Sequence, residues 1–203
     1  MMWKEVIKRY ARQPLIDPEN LYAGGDSIAT LQVQISRWAK EGKLLKLAQR
    51  RYLMAEEYRR ADPSPGRIAN WLVYPSYVSL EYALGAYGLI PEGVFVVTSV
   101  TTKRPRHYDT PEGRFTFRHI HRKLFWGYQA AGNGENESVM AEPEKALLDF
   151  FYFLRGPLTT PRFREMRWQN VEGIRIPLLK QWANRMAHPR VTESVERFLE
   201  VIK

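Results

Sequence analysis

Residues 27–54 read SIATLQVQISRWAKEGKLLKLAQRRYLM, and within them the side-chain period changes from 3.6 to 2 across a single glycine. Asp26 and Ser27 can cap the start of a helix here and Gly42 its end. Advancing about 100° per residue, Ile28, Leu31, Ile35, Trp38 and Ala39 gather on one side of that helix. KLLKLA and RRYLM then alternate as two short strands around a basic tip at Gln49, Arg50 and Arg51, with Leu45, Leu47, Tyr52 and Met54 expected to pack on the helix. A helix and a hairpin this close in sequence must share one small core, and that requirement limits what surrounds them.

The preceding residues supply the missing partners. In WKEVIKRYAR, Trp3, Val6, Ile7 and Tyr10 recur at helical spacing until Pro14 stops the helix. DPENLYAGG reads as a short helix with Asp17 as N-cap, Pro18 at its first position, and Gly24 and Gly25 at its end. Three helices and a hairpin in this order are the plan of a winged helix-turn-helix. The outer arc of the third helix fits that plan. It carries Thr30, Val33, Gln34, Arg37 and Lys40. Gln and Arg can bond purine edges, an apolar side chain can touch a thymine methyl, and Lys can neutralise phosphate. Thr30, Val33, Gln34 and Arg37 are therefore the candidate base readers. Lys40, Lys43, Lys46, Gln49, Arg50 and Arg51 are the candidate backbone contacts along the helix end and hairpin. A solvated helix face would also carry Gln, Arg and Lys; the adjoining basic hairpin favours duplex DNA.

Charge agrees with this reading without proving it. The chain holds 31 Lys and Arg against 22 Asp and Glu, a net +9, which attracts either nucleic acid or an acidic surface. The break RRADPSPGR, residues 59–67, sets a boundary between a domain of residues 1–60 and one of 61–203. The first carries 12 basic and 7 acidic residues and is the more basic per residue. The absence of cysteine excludes disulfides, thiolate nucleophiles and Cys-based zinc sites. No apolar run approaches the roughly 20 residues that span a bilayer, and MMWKEVIKRY lacks the core of a signal peptide, so a cytoplasmic protein with no membrane partner is expected.

Beyond residue 66, helices give way to strands and then to helices again. GRIANWLV and SLEYALGAYGLI read as helical, the second with Ser79 as cap and Gly88 near its end. GVFVVTSVT is a β-branched strand, GRFTFRHIHR and KLFWGYQ are expected to form an antiparallel pair, and AGNGENE is a polar turn. SVMAEPEKALLDFFYFLRG contains a helix from Pro143, and PLLKQWANRM and TESVERFLEVIK are helical. The expected fold class is α+β: an N-terminal winged helix-turn-helix followed by a larger mixed α+β domain with a small antiparallel sheet.

The blocks YVSLEYALGAYGLIPEGVFVVTSVTTKRPRHYDTPEGRFTFRHI, LFWGY and VMAEPEKALLDFFYF, in this order, resemble the antitoxin and transcriptional-regulator family of AbiE-type abortive-infection systems, also called type IV toxin–antitoxin systems. The likeness covers most of the chain, from the winged helix through about residue 155. It implies a phage-defence repressor that binds its own promoter, at inverted repeats, through the N-terminal domain. It also implies a C-terminal domain that counters a nucleotidyltransferase-type toxin, with or without direct contact. Relatives often carry Gly in the hairpin turn, where this chain has AQRR.

Two clusters allow other chemistry. Glu142, Glu144, Lys145 and Asp149 could be taken for a metal-dependent nuclease site, which would make the protein a nucleic-acid-processing enzyme. On a helix from Pro143, however, Glu144 complements the helix dipole, and Lys145 and Asp149 pair at i, i+4. His119 and His121 would share one strand face but lack a third ligand. No catalytic residue, metal or cofactor is therefore expected. Lys103, Arg104, Arg106, Arg114, Arg118, Arg122 and Lys123 form a second basic patch, available to DNA, RNA or a toxin.

Overall fold

A computed structural model describes residues 2–21, 28–91 and 93–203. The expected caps Asp26 and Ser27, the helix end at Gly24 and Gly25, and the side chain of Ile28 lie outside the described residues. The first helix, α1, spans Trp3–Tyr10 and buries Val6 and Tyr10. Strand β1, Leu15–Ile16, follows Pro14, and the DPENL segment is a 3-10 turn over Pro18–Leu21. Asp17 Oδ1 accepts from the Glu19 backbone N–H at 3.0 Å, the capping role its position implied. Helix α2 covers Ile28–Lys40 and ends at Gly42, whose φ of +74° a side chain would strain.

Strands β2, Leu44–Ala48, and β3, Arg51–Met54, pair antiparallel, and β1 adds to β3 to make a three-stranded sheet of order β1-β3-β2. Leu44 opposes Met54 and Lys46 opposes Tyr52, whereas Leu45 and Leu15 both oppose Leu53. Opposed residues in an antiparallel pair share a face. Leu44, Tyr52 and Met54 therefore pack with Ile16 of β1 and with Leu31, Ile35 and Trp38 of α2. Leu45, Leu47 and Leu53 point the other way, into a core formed with Ile68, Leu72, Val97, Phe115 and Phe117. This corrects the expected packing of Leu45 and Leu47 on the helices: their register places them on the opposite face from Tyr52 and Met54.

The second sheet has six strands, β4 Ser76–Val78, β5 Val96–Thr101, β6 Arg106–Thr110, β7 Gly113–His119, β8 Tyr128–Ala131 and β9 Ser138–Ala141. Their order is β6-β7-β5-β4-β9-β8, with β5/β7 and β4/β9 parallel and the other pairs antiparallel. The sheet is thus mixed and larger than the small antiparallel one expected. GRFTFRHIHR does not pair with KLFWGYQ. Its strand β7 lies between β6 and β5, while Tyr128 and Gln129 belong to β8, which pairs with β9. No apolar alternation marks RHYDT of β6 as a strand, since its side chains are polar or only partly buried.

Helix α3, Pro65–Leu72, lies on the sheet face that meets the small sheet. Ser64 caps it, accepting from the Arg67 N–H at 3.2 Å. On the opposite face lie α4 Leu80–Ala86, α5 Pro143–Phe153, α6 Thr160–Glu165, α7 Ile176–Met186 and α8 Pro189–Val201, around Tyr77, Val100, Leu147, Phe151, Phe163 and Phe198. The chain is therefore mixed α+β, with two sheets and eight α-helices among the described residues. The 59–67 stretch is not merely a solvated link, because Arg59 is 90% covered and pairs with Asp62 at 2.5 Å and Glu112 at 3.6 Å. No described helix is long and apolar enough to cross a membrane.

Leu53 is fully buried between the helices' sheet and the second region. Leu53→Ala is expected to lower unfolding stability by about 2–5 kcal/mol, measured by urea titration of the full chain. An unchanged midpoint would contradict a closely packed junction.

Candidate nucleic-acid interface

Helix α2 divides its sides sharply. Leu31, Ile35 and Trp38 are each at most 3% exposed, and Trp3 lies against Trp38 with ring centroids 5.1 Å apart. The far side exposes Ala29, Thr30, Gln32, Val33, Ser36, Arg37 and Lys40. Val33 is 70% exposed, an aliphatic side chain that the core does not use. Gln34 departs from the expected set. It is only partly exposed, and its Oε1 is buried without a hydrogen-bond partner among the described residues. It sits on the shoulder of the helix, where the 100° advance alone does not separate rim from face. Gln32 and Ser36 occupy the open face that the sequence reading assigned to Gln34.

The hairpin stands beside this face. A cleft of about 260 Å³ runs between them, lined by Gln32 and Ser36 on α2 and by Lys46, Gln49, Arg50 and Tyr52 on the hairpin. Lys46 and Gln49 are exposed. Arg37, Lys43 and Arg50 are already engaged, whereas Lys40 is exposed. Arg37 Nε is 3.6 Å from Glu41. Lys43 bonds Glu41 at 2.7 Å and sits over the Trp3 ring. The Lys43 bond comes first among the causes that hold the Glu41 carboxyl below its ordinary range. Arg50 bonds Glu19 at 2.6 Å and remains half exposed. Its φ of +57° lies in the left-handed region that favours glycine, at the turn where AQRR replaces it.

Arg51 is engaged within the molecule. It is ion-paired with Asp17, and its guanidinium lies 4.9 Å from the centroid of the Trp71 ring in α3. The side chain expected to contact phosphate is thus held by a ring and a carboxylate across the junction of the two regions, with part of it still exposed. No local pattern marks this pairing, since Asp17 precedes Arg51 by 34 residues.

The second basic patch is divided by its sheet. Arg106 opposes Phe117 and Asp109 opposes Arg114, so Arg106 and Arg114 project from opposite faces. Arg114 is neutralised by Asp109 at 2.5 Å, and Arg118 rests over the Phe153 ring at 5.4 Å. Lys103, Arg104, Arg122 and Lys123 are exposed. His119 ends β7, its Nδ1 3.0 Å from the Lys103 carbonyl oxygen, whereas His121 starts a 3-10 turn and accepts from the Lys123 N–H at 3.2 Å. The two histidines therefore do not share a strand face.

The acidic cluster is interior. Lys145 is ion-paired with Asp149 one turn along α5, and both are fully buried. Asp149 Oδ2 accepts from Tyr77 and Ser79, each at 2.9 Å, and the Lys145 ammonium donates to the Tyr77 hydroxyl oxygen at 2.9 Å. Ser79 stands at the N-cap of α4, yet its hydroxyl serves Asp149 in place of the helix N–H groups. Burial, then Asp149, pushes the Tyr77 hydroxyl well above its ordinary pKa. Burial also lowers Lys145, with Asp149 opposing the shift. Glu144 accepts from the Arg175 backbone N–H and side chain at 2.9–3.0 Å, and Glu142 takes the same guanidinium at 2.8 Å. Burial alone would raise Glu144, but these bonds leave it below the ordinary carboxylate value. Among the described residues no three His, Asp or Glu side chains are grouped to hold a metal ion.

No family model matches the chain, and no curated protein is found similar to it.

A carboxyl depressed in the folded state stabilises the fold above its unfolded pKa of about 4.3, and that contribution is lost as pH falls through the lower folded value. The stability gap between the native chain and Arg175→Gln is therefore expected to be full at pH 7 and to close in acid below about pH 4. Urea titrations of both proteins across that range measure it; a gap independent of pH would separate Glu144 from Arg175.

Proposed function

We propose that residues 1–60 form a winged helix-turn-helix, with α2 as reading helix and β2–β3 as wing, and that residues 61–203 form a C-terminal α+β antitoxin domain. The protein acts as a sequence-specific repressor of its own operon. One observation carries this reading: an apolar and amide-bearing helix face, open at Val33, Gln32 and Ser36, lies across a narrow cleft from the exposed Lys46 and Gln49 of a hairpin. A rod of this composition fits the major groove, and a cationic hairpin beside it fits the adjoining phosphate backbone. Repression by such a surface is occupancy of a promoter, so its strength is affinity and not bond chemistry.

The antitoxin part rests on the ordered sequence blocks between residues 77 and 153, which resemble AbiE-type antitoxins. It makes the partner a nucleotidyltransferase-type toxin, countered with or without contact. Growth rescue on co-expression with such a toxin from the neighbouring reading frame tests it; no rescue by the soluble full-length chain would remove this part and leave the repressor reading in place.

Arg37→Ala is expected to cost about 1–3 kcal/mol on duplex DNA from upstream of its own gene and to relax selectivity at one base pair. Gln34→Ala is expected to change little. Arg50→Gly removes a cation while relieving a left-handed backbone, so affinity for all sequences should fall while the melting temperature holds or rises. Fluorescence anisotropy with specific and scrambled duplexes, alongside thermal melts, reads all three. Unchanged affinity in both Arg37→Ala and Arg50→Gly would end the reading of α2 and the hairpin as a DNA surface.

A further inference from the structure

Where α1 and the small sheet meet α3, the surface is indented by a cleft of about 520 Å³, within the size range of small-molecule sites. Both regions line it: Gln13 and Asn20 come from the first, Arg67, Trp71 and Tyr74 from α3 and the residues after it, and Glu137 from the approach to β9. The backbone that carries these side chains is anchored. Asn70 donates to the Ser76 carbonyl oxygen at 3.2 Å and accepts from the Val139 N–H at 2.6 Å, which ties α3 to β4 and β9. Thr101 donates to the Pro75 carbonyl oxygen at 2.6 Å, and the Ser64 N–H and hydroxyl both donate to Asn136, next to Glu137. The cleft is therefore formed before anything enters it.

Several groups here have little or no use within the fold. Tyr74 is 78% exposed, and its ring meets no other ring or cation among the described residues. Arg67 lies one helical turn before Trp71 on the same side of α3 and meets no carboxylate; its guanidinium donates only to the Glu137 carbonyl oxygen, at 3.4 Å. The Glu137 side chain is exposed and unpaired among the described residues. Ser76, which also lines the cleft, is 7% exposed, and its hydroxyl has no hydrogen-bond partner among the described residues. Arg51 borders the cleft too, but Asp17 and the Trp71 ring already hold it.

An open ring on a rigid support suits a planar heterocycle, and an unpaired guanidinium suits a phosphate. A free carboxylate beside them accepts hydrogen bonds from hydroxyls. A single available guanidinium next to a carboxylate favours one phosphate over a polyphosphate tail, whose further charges Glu137 would repel. We infer that this cleft binds a nucleoside 5′-monophosphate, with the base against Tyr74, the phosphate on Arg67 and the ribose hydroxyls toward Glu137. Gln13 and Asn20 supply amide donors and acceptors for the edge of the base. The site shares no lining residue with the cleft beside α2, and the inference does not rest on the repressor reading.

Isothermal titration calorimetry of the full-length protein tests it, with AMP, GMP, CMP and UMP as probes beside ribose 5-phosphate and inorganic phosphate. At least one nucleotide should bind saturably with a Kd below about 1 mM. Ribose 5-phosphate, which lacks the base, should bind about fivefold more weakly or worse. Tyr74→Ala and Arg67→Gln should each weaken the nucleotide by about fivefold or more. Phe95→Ala removes another ring, 92% exposed and outside the cleft, and should leave binding unchanged. Circular dichroism melts establish that each variant is folded. The inference is overturned if no nucleotide saturates by about 5 mM, or if ribose 5-phosphate or inorganic phosphate binds as tightly as the nucleotide. It is overturned equally if either folded cleft variant keeps the native affinity, because the nucleotide is then held elsewhere, as on the cations near α2.

Discussion

The small sheet is the hinge of the whole structure in a mechanical sense: it is covered on both faces. Leu44 and Met54 seal the core of α1 and α2, and Leu47 and Leu53, one residue out of phase, seal the core beneath α3 and β7. Burial of each such side chain is worth roughly 1.5–3 kcal/mol. Two cores of modest size therefore lean on the same few strands. A domain of some 60 residues is only marginally able to stabilise itself, and here it borrows apolar surface from its neighbour. The ion pair of Arg51 with Asp17, capped by Trp71, closes the same junction with directional contacts.

The second region is organised around a different constraint. Lys145 and Asp149 are charged groups with no access to water, and such a pair is tolerated only when its remaining bonds are met. Tyr77 and Ser79 meet them, and they come from β4 and the start of α4. The network consequently fixes α5 against the sheet, and Gly127 completes the fit: with φ +76°, its Cα lies so near Lys145 that a Cβ would meet the Lys145 Cγ at 3.0 Å. Residues that could be mistaken for a nuclease cluster are explained by this interior role. Glu144 is explained the same way, by Arg175.

The contrast between engaged and unengaged cations organises the surface. Arg51, Arg59 and Lys145, which meet a carboxylate or an aromatic ring, help hold the fold; Lys40 on α2, Lys46 on the hairpin and Lys103, Arg104, Arg122 and Lys123 at the end of the six-stranded sheet face solvent, and none of them forms an ion pair among the described residues. Net charge alone would not have separated these groups, because it counts Arg51 and Lys46 alike.

The sequence by itself determined most of the helices, the ends marked by Asp17 and Gly42, and the apolar side of α2, because these depend on neighbours two to four residues away. It also placed Lys145 and Asp149 together for the same reason. Only the tertiary structure decided which face of the hairpin meets which core, the order of the six strands, the partial burial of Gln34, the engagement of Arg51 by Asp17 and Trp71, and the separation of Arg106 from Arg114. Those outcomes depend on register and on partners tens of residues away: Asp17 for Arg51, Glu144 for Arg175, Tyr77 for Asp149. A one-residue change of register exchanges the two faces of a strand while leaving its local pattern intact, so alternation could announce a hairpin but could not say which of its sides looks outward.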